Sequence, residues 1–155
     1  MQPSNPHILK LDQFLAELDR FDLVIDVRSP AEFALDHIPG AVNYPVLNNE
    51  ERAQIGTLYK QVSPFAAKKL GAALVSRNIA NHLESHFLDF PREWRPLIYC
   101  WRGGKRSGSL ALILGQIGFD VHLIEGGYKA FRAEMLLDLG RLATQFDYHV
   151  VCAPT

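Results

Sequence analysis

Pro96-Leu-Ile-Tyr-Cys-Trp-Arg-Gly-Gly-Lys-Arg-Ser-Gly-Ser109 is the stretch on which the fold turns. Its first four residues form a short apolar run bounded by turn residues, the pattern of a strand buried on both faces. From Ser107 to Ile117 the chain is apolar almost all round, which predicts a buried helix. A buried strand that turns through glycines into a helix is the building unit of an α/β sheet. Asp22-Leu-Val-Ile-Asp-Val27 and Val121-His-Leu-Ile124 read as two more strands. Helical patterns run over Leu11–Leu18, with Leu11, Phe14, Leu15 and Leu18 on one face, over Pro64 to about Phe87, and over Tyr128 to about Leu142. The Ser63-Pro64 pair suits the N-cap and first turn of the long one. Strands alternating with helices predict a mainly parallel sheet with helices on both faces.

The whole chain agrees with that class. At 155 residues it is long enough for one domain that buries roughly 70% of its unfolded surface without a disulfide or metal staple. The balance of 16 Lys+Arg against 17 Asp+Glu argues against a nucleic-acid binder that works by bulk charge, though not against a local basic patch. Two cysteines make no disulfide framework, so a reducing compartment is the default. No apolar run approaches the roughly 18 residues that span a bilayer, and Met1–Lys10 has no basic-then-apolar leader. A cytoplasmic domain with no membrane partner is expected. There is no internal repeat and no low-complexity tract.

Chemistry concentrates at Cys100, placed at the carboxyl end of a buried strand, where open α/β sheets bind their ligands. Gly103 and Gly104 let the backbone curl into a nest of inward N–H groups. The following helix terminus, with Arg102, Lys105, Arg106 and Ser107 around it, adds positive potential. Each effect favours thiolate, so Cys100 reads as a nucleophile rather than a core filler.

These residues reach a family. The Cys100 segment resembles the active loop of rhodanese-like sulfurtransferases. Asp26-Val-Arg-Ser-Pro-Ala-Glu-Phe33 with His37-Ile-Pro-Gly-Ala-Val-Asn43, and Leu123-Ile-Glu-Gly-Gly-Tyr-Lys-Ala-Phe131, are similar to that family's two flanking signatures. The resemblance implies a rhodanese-like α/β fold and a persulfide carried on Cys100. Cys100-Trp-Arg-Gly-Gly-Lys-Arg-Ser107, the inserted stretch Asn49 to Val62 and Ala66-Ala-Lys-Lys-Leu-Gly71 narrow it: they resemble the tRNA 2-selenouridine synthases. That family replaces sulfur by selenium on a wobble 2-thiouridine, with selenophosphate as donor and a geranylated intermediate. It joins a rhodanese-like domain to a P-loop domain. By this resemblance residues 1–140 are the rhodanese-like domain, and 141–155 a linker and the first strand of the P-loop domain. Val150-Val-Cys-Ala-Pro-Thr155 then looks like a strand entering a Walker loop, with Ala153 where its first glycine would stand. Without that resemblance, Asp147–Thr155 reads as a strand start with no helix to cover it. The implied partners are selenophosphate, tRNA (mostly through the second domain) and, in the complete enzyme, geranyl diphosphate. No cofactor is called for.

Counted from Cys100 to Arg106 the loop has seven residues, one more than an ordinary thiosulfate-using rhodanese would have. A wider ring of amides suits a tetrahedral anion, with Arg102 and Arg106 holding it and the Arg106 fork on two oxygens. Two alternatives stay open. A generic thiosulfate-type sulfurtransferase would share the loop. A Cys-x5-Arg phosphatase would use Arg106 to stabilise a phosphoryl transition state, but Tyr99 stands where many such enzymes have histidine, and no Asp general acid is apparent. A non-catalytic module of this fold would have no use for Cys100.

The remaining candidates divide between chemistry and structure. Asp26 and Arg28 end the first strand and could reach the loop; structural support suits them better, with Asp26 bonding loop amides and Arg28 paired to Glu32 or another acid. His82 and His86 have metal-ligand spacing, but no third ligand is evident, so a solvated helix face and no metal are expected. Cys152 reads as a small buried strand residue rather than a resolving thiol. Trp101 is either a base-stacking platform or a lid packed on the helix. From Arg92 to Arg132 seven basic residues stand against three acidic ones, a local excess around the loop that suits an anionic donor and a tRNA backbone.

Overall fold

In the computed structural model, which describes residues 4–147 and 149, five parallel strands form one sheet in the order β1-β5-β4-β2-β3. They are β1 (His7–Leu9), β2 (Leu23–Asp26), β3 (Val42–Asn43), β4 (Pro96–Tyr99) and β5 (His122–Ile124). The helices are α1 (Leu11–Ala16), α2 (Pro30–Leu35), α3 (Asn49–Gln61), α4 (Pro64–His82), α5 (Lys105–Ile117) and α6 (Gly127–Leu142). The three expected strands are present as β2, β4 and β5, and the fold is the α/β arrangement that alternation implied. β1 and β3 are additions of three and two residues at the sheet edges, paired with β5 and β2. α2 and α3 are additions too. Both open on capping boxes, Ser29 with Glu32 and Asn48 with Glu51.

Side-chain alternation along β4 sorts the core into two halves. Leu97 and Tyr99 face one side, with Phe14 of α1, Ile124 and Tyr128 of α6. Ile98 and Cys100 face the other, with Ile79 of α4 and Leu110, Ala111 and Leu114 of α5. Tyr99 lies in register with Asp26 of β2, so the strand ends that carry chemistry stand side by side.

Two expectations are corrected here. α5 is two-faced rather than buried all round: Leu110, Ala111 and Leu114 are buried, but Leu112 is 53% and Ile117 41% exposed. With one face on the sheet, the other has no layer left to cover it. His82 leaves the solvated face expected of the pair, while His86 stays exposed as expected. His82 Nε2 lies 2.9 Å from the Pro45 carbonyl, and both rings pack on Tyr44. The helix loosens into a π turn over Leu83–Phe87, which takes Phe87 into the core. α6 runs to Leu142, two residues beyond the expected domain boundary. Cys152 and the stretch Val150–Thr155 lie outside the described residues. Among the described residues, no helix is long and apolar enough to cross a membrane.

Candidate active site

Cys100 follows β4 directly, on the α5 side of the sheet, and is 4% exposed. Its Sγ accepts from the Gly104 N–H at 3.2 Å and lies 3.2 Å from the Ser107 hydroxyl, itself fully buried. Burial pushes the thiol up. The Ser107 hydroxyl and the amides of Ser107, Gly104 and Arg102 outweigh it and hold Cys100 below the ordinary cysteine value. The nest expected from Gly103-Gly104 is therefore present, and it is aimed at sulfur. α5 begins at Lys105, two residues earlier than its apolar pattern.

The loop is held from below by the first turn of α6. The Tyr128 N–H donates to the Cys100 carbonyl and the Lys129 N–H to the Trp101 carbonyl, each at 2.9 Å. Such close backbone approach is what Gly127 permits. Its φ is +60°, and a Cβ there would lie 2.3 Å from the Cys100 oxygen and 2.4 Å from the Gly103 nitrogen. Gly103, at φ +64°, meets the Ile124 carbonyl in the same way. The Gly126-Gly127 pair was visible in the sequence, but its contact with the loop was not.

Arg106 stands elsewhere than its spacing implied. Its Nη1 and Nη2 donate to Glu32 Oε2 and Oε1 at 2.7 and 3.2 Å, so the fork assigned to an incoming oxyanion already holds a carboxylate. Arg102, Lys105 and Lys129 are exposed and make no ion pair among the described residues. The rest of the local positive excess is partly tied down, Arg95 on Asp120 and Arg132 on Asp36. Trp101 is 38% exposed, with its ring 5.8 Å from that of Tyr128, so it leans on α6 at the loop mouth rather than over α5.

Asp26 and Arg28 are both buried and bonded to each other. The Arg28 N–H, Nε and Nη2 reach the Asp26 carboxylate at 2.6–3.0 Å. The guanidinium also donates to the Asp36 carbonyl and lies 4.0 Å from the Tyr128 ring centroid. The acid paired to Arg28 is thus Asp26, and Glu32 goes to Arg106. Neither Asp26 nor Arg28 bonds the cysteine loop; they support Tyr99 and Tyr128 beneath it. The Tyr99 hydroxyl accepts from the Ile38 N–H at 3.2 Å. Burial and the Asp26 carboxylate push that phenol far above its ordinary range, so it stays protonated.

The central strand of a parallel sheet thus ends on a cysteine that hydrogen bonds hold below its ordinary pKa, in a glycine turn that leads into a helix: the class is an α/β domain with a stabilised thiolate at its strand ends. Residues 10–134 match the rhodanese-like domain family, and the chain belongs to it. Among its curated relatives, tRNA 2-selenouridine synthase from Nitrosomonas europaea is 43% identical over 133 residues, covering 85% of this chain and 34% of the relative. The protein of the same name from Cronobacter sakazakii is 41% identical over 133 residues, covering 85% and 35%. The chain spans about a third of the length of these relatives. Among solved structures, the N-terminal domain of a Clostridium difficile protein assigned as ATP/GTP binding superposes with a TM-score of 0.67 at 36% identity, covering 83% of this chain and 98% of that one. A rhodanese-related protein from Thermoplasma volcanium, 17% identical with a TM-score of 0.54 over 83% of this chain and 92% of that one, shares the fold.

Proposed function

We propose that this chain is the chalcogen-transferring part of a tRNA 2-selenouridine synthase, with Cys100 as the group that takes selenium from selenophosphate and carries it toward a wobble 2-thiouridine of tRNA. The observation that supports it most is the environment of Cys100, inside a 133-residue stretch 43% identical to a protein of that name. The Gly104 amide and the Ser107 hydroxyl stabilise the attacking thiolate, and Arg102, Lys105 and Lys129 raise the local concentration of an anionic donor and of phosphate backbone. Trp101 at the loop mouth offers a ring to a base. On this reading residues 1–140 are the rhodanese-like part. Residues 141–155 lead toward a P-loop domain that handles geranyl diphosphate and most of the tRNA.

Electron balance sharpens the donor step. Attack of the Cys100 sulfur on the selenium of selenophosphate forms an S–Se bond and breaks Se–P. Phosphorus then keeps the bonding pair and leaves as phosphite, as sulfite leaves thiosulfate. Selenium that instead departs with the pair gives phosphate and never rides on Cys100. Delivery from the perselenide to the nucleoside consumes a thiol reductant, which splits S–Se and supplies two electrons, and the displaced 2-thio sulfur leaves as sulfide.

The test uses the full chain with Cys100→Ser and Cys152→Ser made separately, selenophosphate as donor and 2-thiouridine tRNA as acceptor. Selenium in the nucleoside, the mass of the Cys100 peptide and the phosphorus product are measured. Cys100→Ser should abolish transfer and Cys152→Ser should retain it. Equal loss in both sinks the assignment of the thiols; phosphate release with no selenium on Cys100 sinks the perselenide.

A further inference from the structure

Cys100 to Arg106 has the spacing by which a thiolate and a guanidinium can grip one phosphate, yet the structure does not use it so. Both terminal nitrogens of Arg106 are committed to the two oxygens of Glu32, at 2.7 and 3.2 Å, a planar fork meeting a planar carboxylate. The pair is sheltered, with side chains 18% and 26% exposed. Glu32 cannot easily follow Arg106 elsewhere: the Ser29 N–H and hydroxyl donate to its Oε2 at 3.1 Å each, as part of the capping box that opens α2. Arg52 stands 3.8 Å away as a second cation on the same carboxylate. Arg106 also borders the apolar groove between α3, α4 and α5, beside Ile55, Ala72 and Val75.

We propose that Glu32 is a specificity-determining residue of this site: by holding Arg106 it withholds the bidentate phosphate ligand, and so keeps the Cys100 loop a chalcogen acceptor that grips phosphate weakly. With the fork taken, the groups directed at Sγ are amide N–H groups and one hydroxyl, which suit a single soft atom carrying charge. A phosphate dianion gains no paired hydrogen bonds from Arg106 there. A product phosphate or phosphite is released readily for the same reason. The inference rests on the reading of Cys100 as the reacting thiolate.

The experiment measures alkylation of Cys100 by iodoacetamide in the full chain, with inorganic phosphate as the competing probe. Four proteins are compared: the parent, Glu32→Gln, Arg106→Gln and the double variant. The glutamine side chain in Glu32→Gln still accepts from Ser29 but no longer grips a cation. Glu32→Gln should lower the phosphate concentration that protects Cys100 by at least about tenfold, the effect of charge-assisted bonds to an anion. The double variant should lose that gain, and Arg106→Gln alone should stay within about twofold of the parent. An unchanged Glu32→Gln, or a tenfold loss of protection in Arg106→Gln with Glu32 intact, overturns the proposal. If Glu32→Gln does not fold, Glu32→Asp, which keeps the charge but falls short of the fork, is read by the same criteria. Slow alkylation of the parent without phosphate, no faster than free cysteine, overturns the proposed function itself, and is read before any phosphate is added.

Discussion

Replacing Gly127 by alanine should injure the site more than any other single-methyl addition to a glycine near it. Its backbone sits at φ +60°, where an L residue costs about 1–2 kcal/mol. The added Cβ would lie 2.3 Å from the Cys100 oxygen, 2.4 Å from the Gly103 nitrogen and 3.0 Å from the Arg102 carbonyl carbon. All three are backbone atoms, so relief requires the cysteine loop to lift. Lifting it breaks the hydrogen bonds from Tyr128 N–H and Lys129 N–H, worth about 1 kcal/mol each. The total is about 4 kcal/mol, a fall in melting temperature of about 12 °C for a domain of this size. Cys100 alkylation should slow with it, because the amides no longer converge on sulfur. Two other glycines calibrate the argument. Gly40, at φ +78° with open space around its Cβ direction, has only the conformational cost, so Gly40→Ala should melt about 3–6 °C lower. Gly108 lies inside α5 with nothing within 4 Å, and Gly108→Ala should raise the melting temperature slightly by helix propensity. Thermal unfolding by circular dichroism reads all three. A Gly127→Ala protein that melts within about 3 °C of the parent, or no lower than Gly40→Ala, refutes the contact analysis.

Ser107→Ala removes the hydroxyl beside Sγ, so alkylation near neutral pH should slow about threefold, the lost thiolate fraction being partly offset by a more nucleophilic sulfur. Ser109→Ala, whose hydroxyl bonds the Lys105 carbonyl, should leave the rate alone. Asp26→Asn leaves Arg28 buried without its counter-charge and should cost about 3–5 kcal/mol, read as a lowered urea midpoint. Glu32 is held down at about 2 in the folded chain, against burial, by Arg106 and Ser29. A carboxyl lowered in this way stabilises above its unfolded value of about 4.3, and the stabilisation fades as pH falls toward 2. The parent should therefore lose about 1–2 kcal/mol more than Glu32→Gln between about pH 5 and 2, after solvent screening of a half-buried pair. Parallel urea midpoints across that range would refute it.

What the sequence disclosed and what it hid follow from the range of the forces involved. β4 was legible because a sheet's central strand needs apolar side chains on both faces, and Leu97, Ile98 and Tyr99 are fully buried. The nest at Cys100 was legible because glycines, cations and a helix start all lie within a few residues of it. β1 and β3 were not, since strands of three and two residues have no period of their own and exist through pairing with β5 and β2. α3 carried a readable signal in Asn48 and Glu51, a capping box that the resemblance of the whole insert overshadowed. Arg106 shows the opposite limit. Spacing along the chain states how far a side chain can reach but not which way it turns, and Glu32 lies 74 residues away.

The three motif segments do different mechanical work on one loop. The first, from Asp26 to Phe33, supplies Glu32 to hold the α5 side of the loop, and the buried Asp26–Arg28 pair that packs under Tyr99 and Tyr128. The second supplies the thiol and the amides that lower its pKa. The third supplies two glycines that let the α6 terminus press its N–H groups against the Cys100 and Trp101 carbonyls. Cys100 and Tyr99 are neighbours that face opposite halves of the core, so the loop cannot shift without disturbing packing on both sides of the sheet. Reactivity here is therefore coupled to stability through the backbone of one turn. A substitution that loosens either half should act on the thiolate before it unfolds the domain, because hydrogen bonds to sulfur depend on loop geometry more steeply than apolar contacts do.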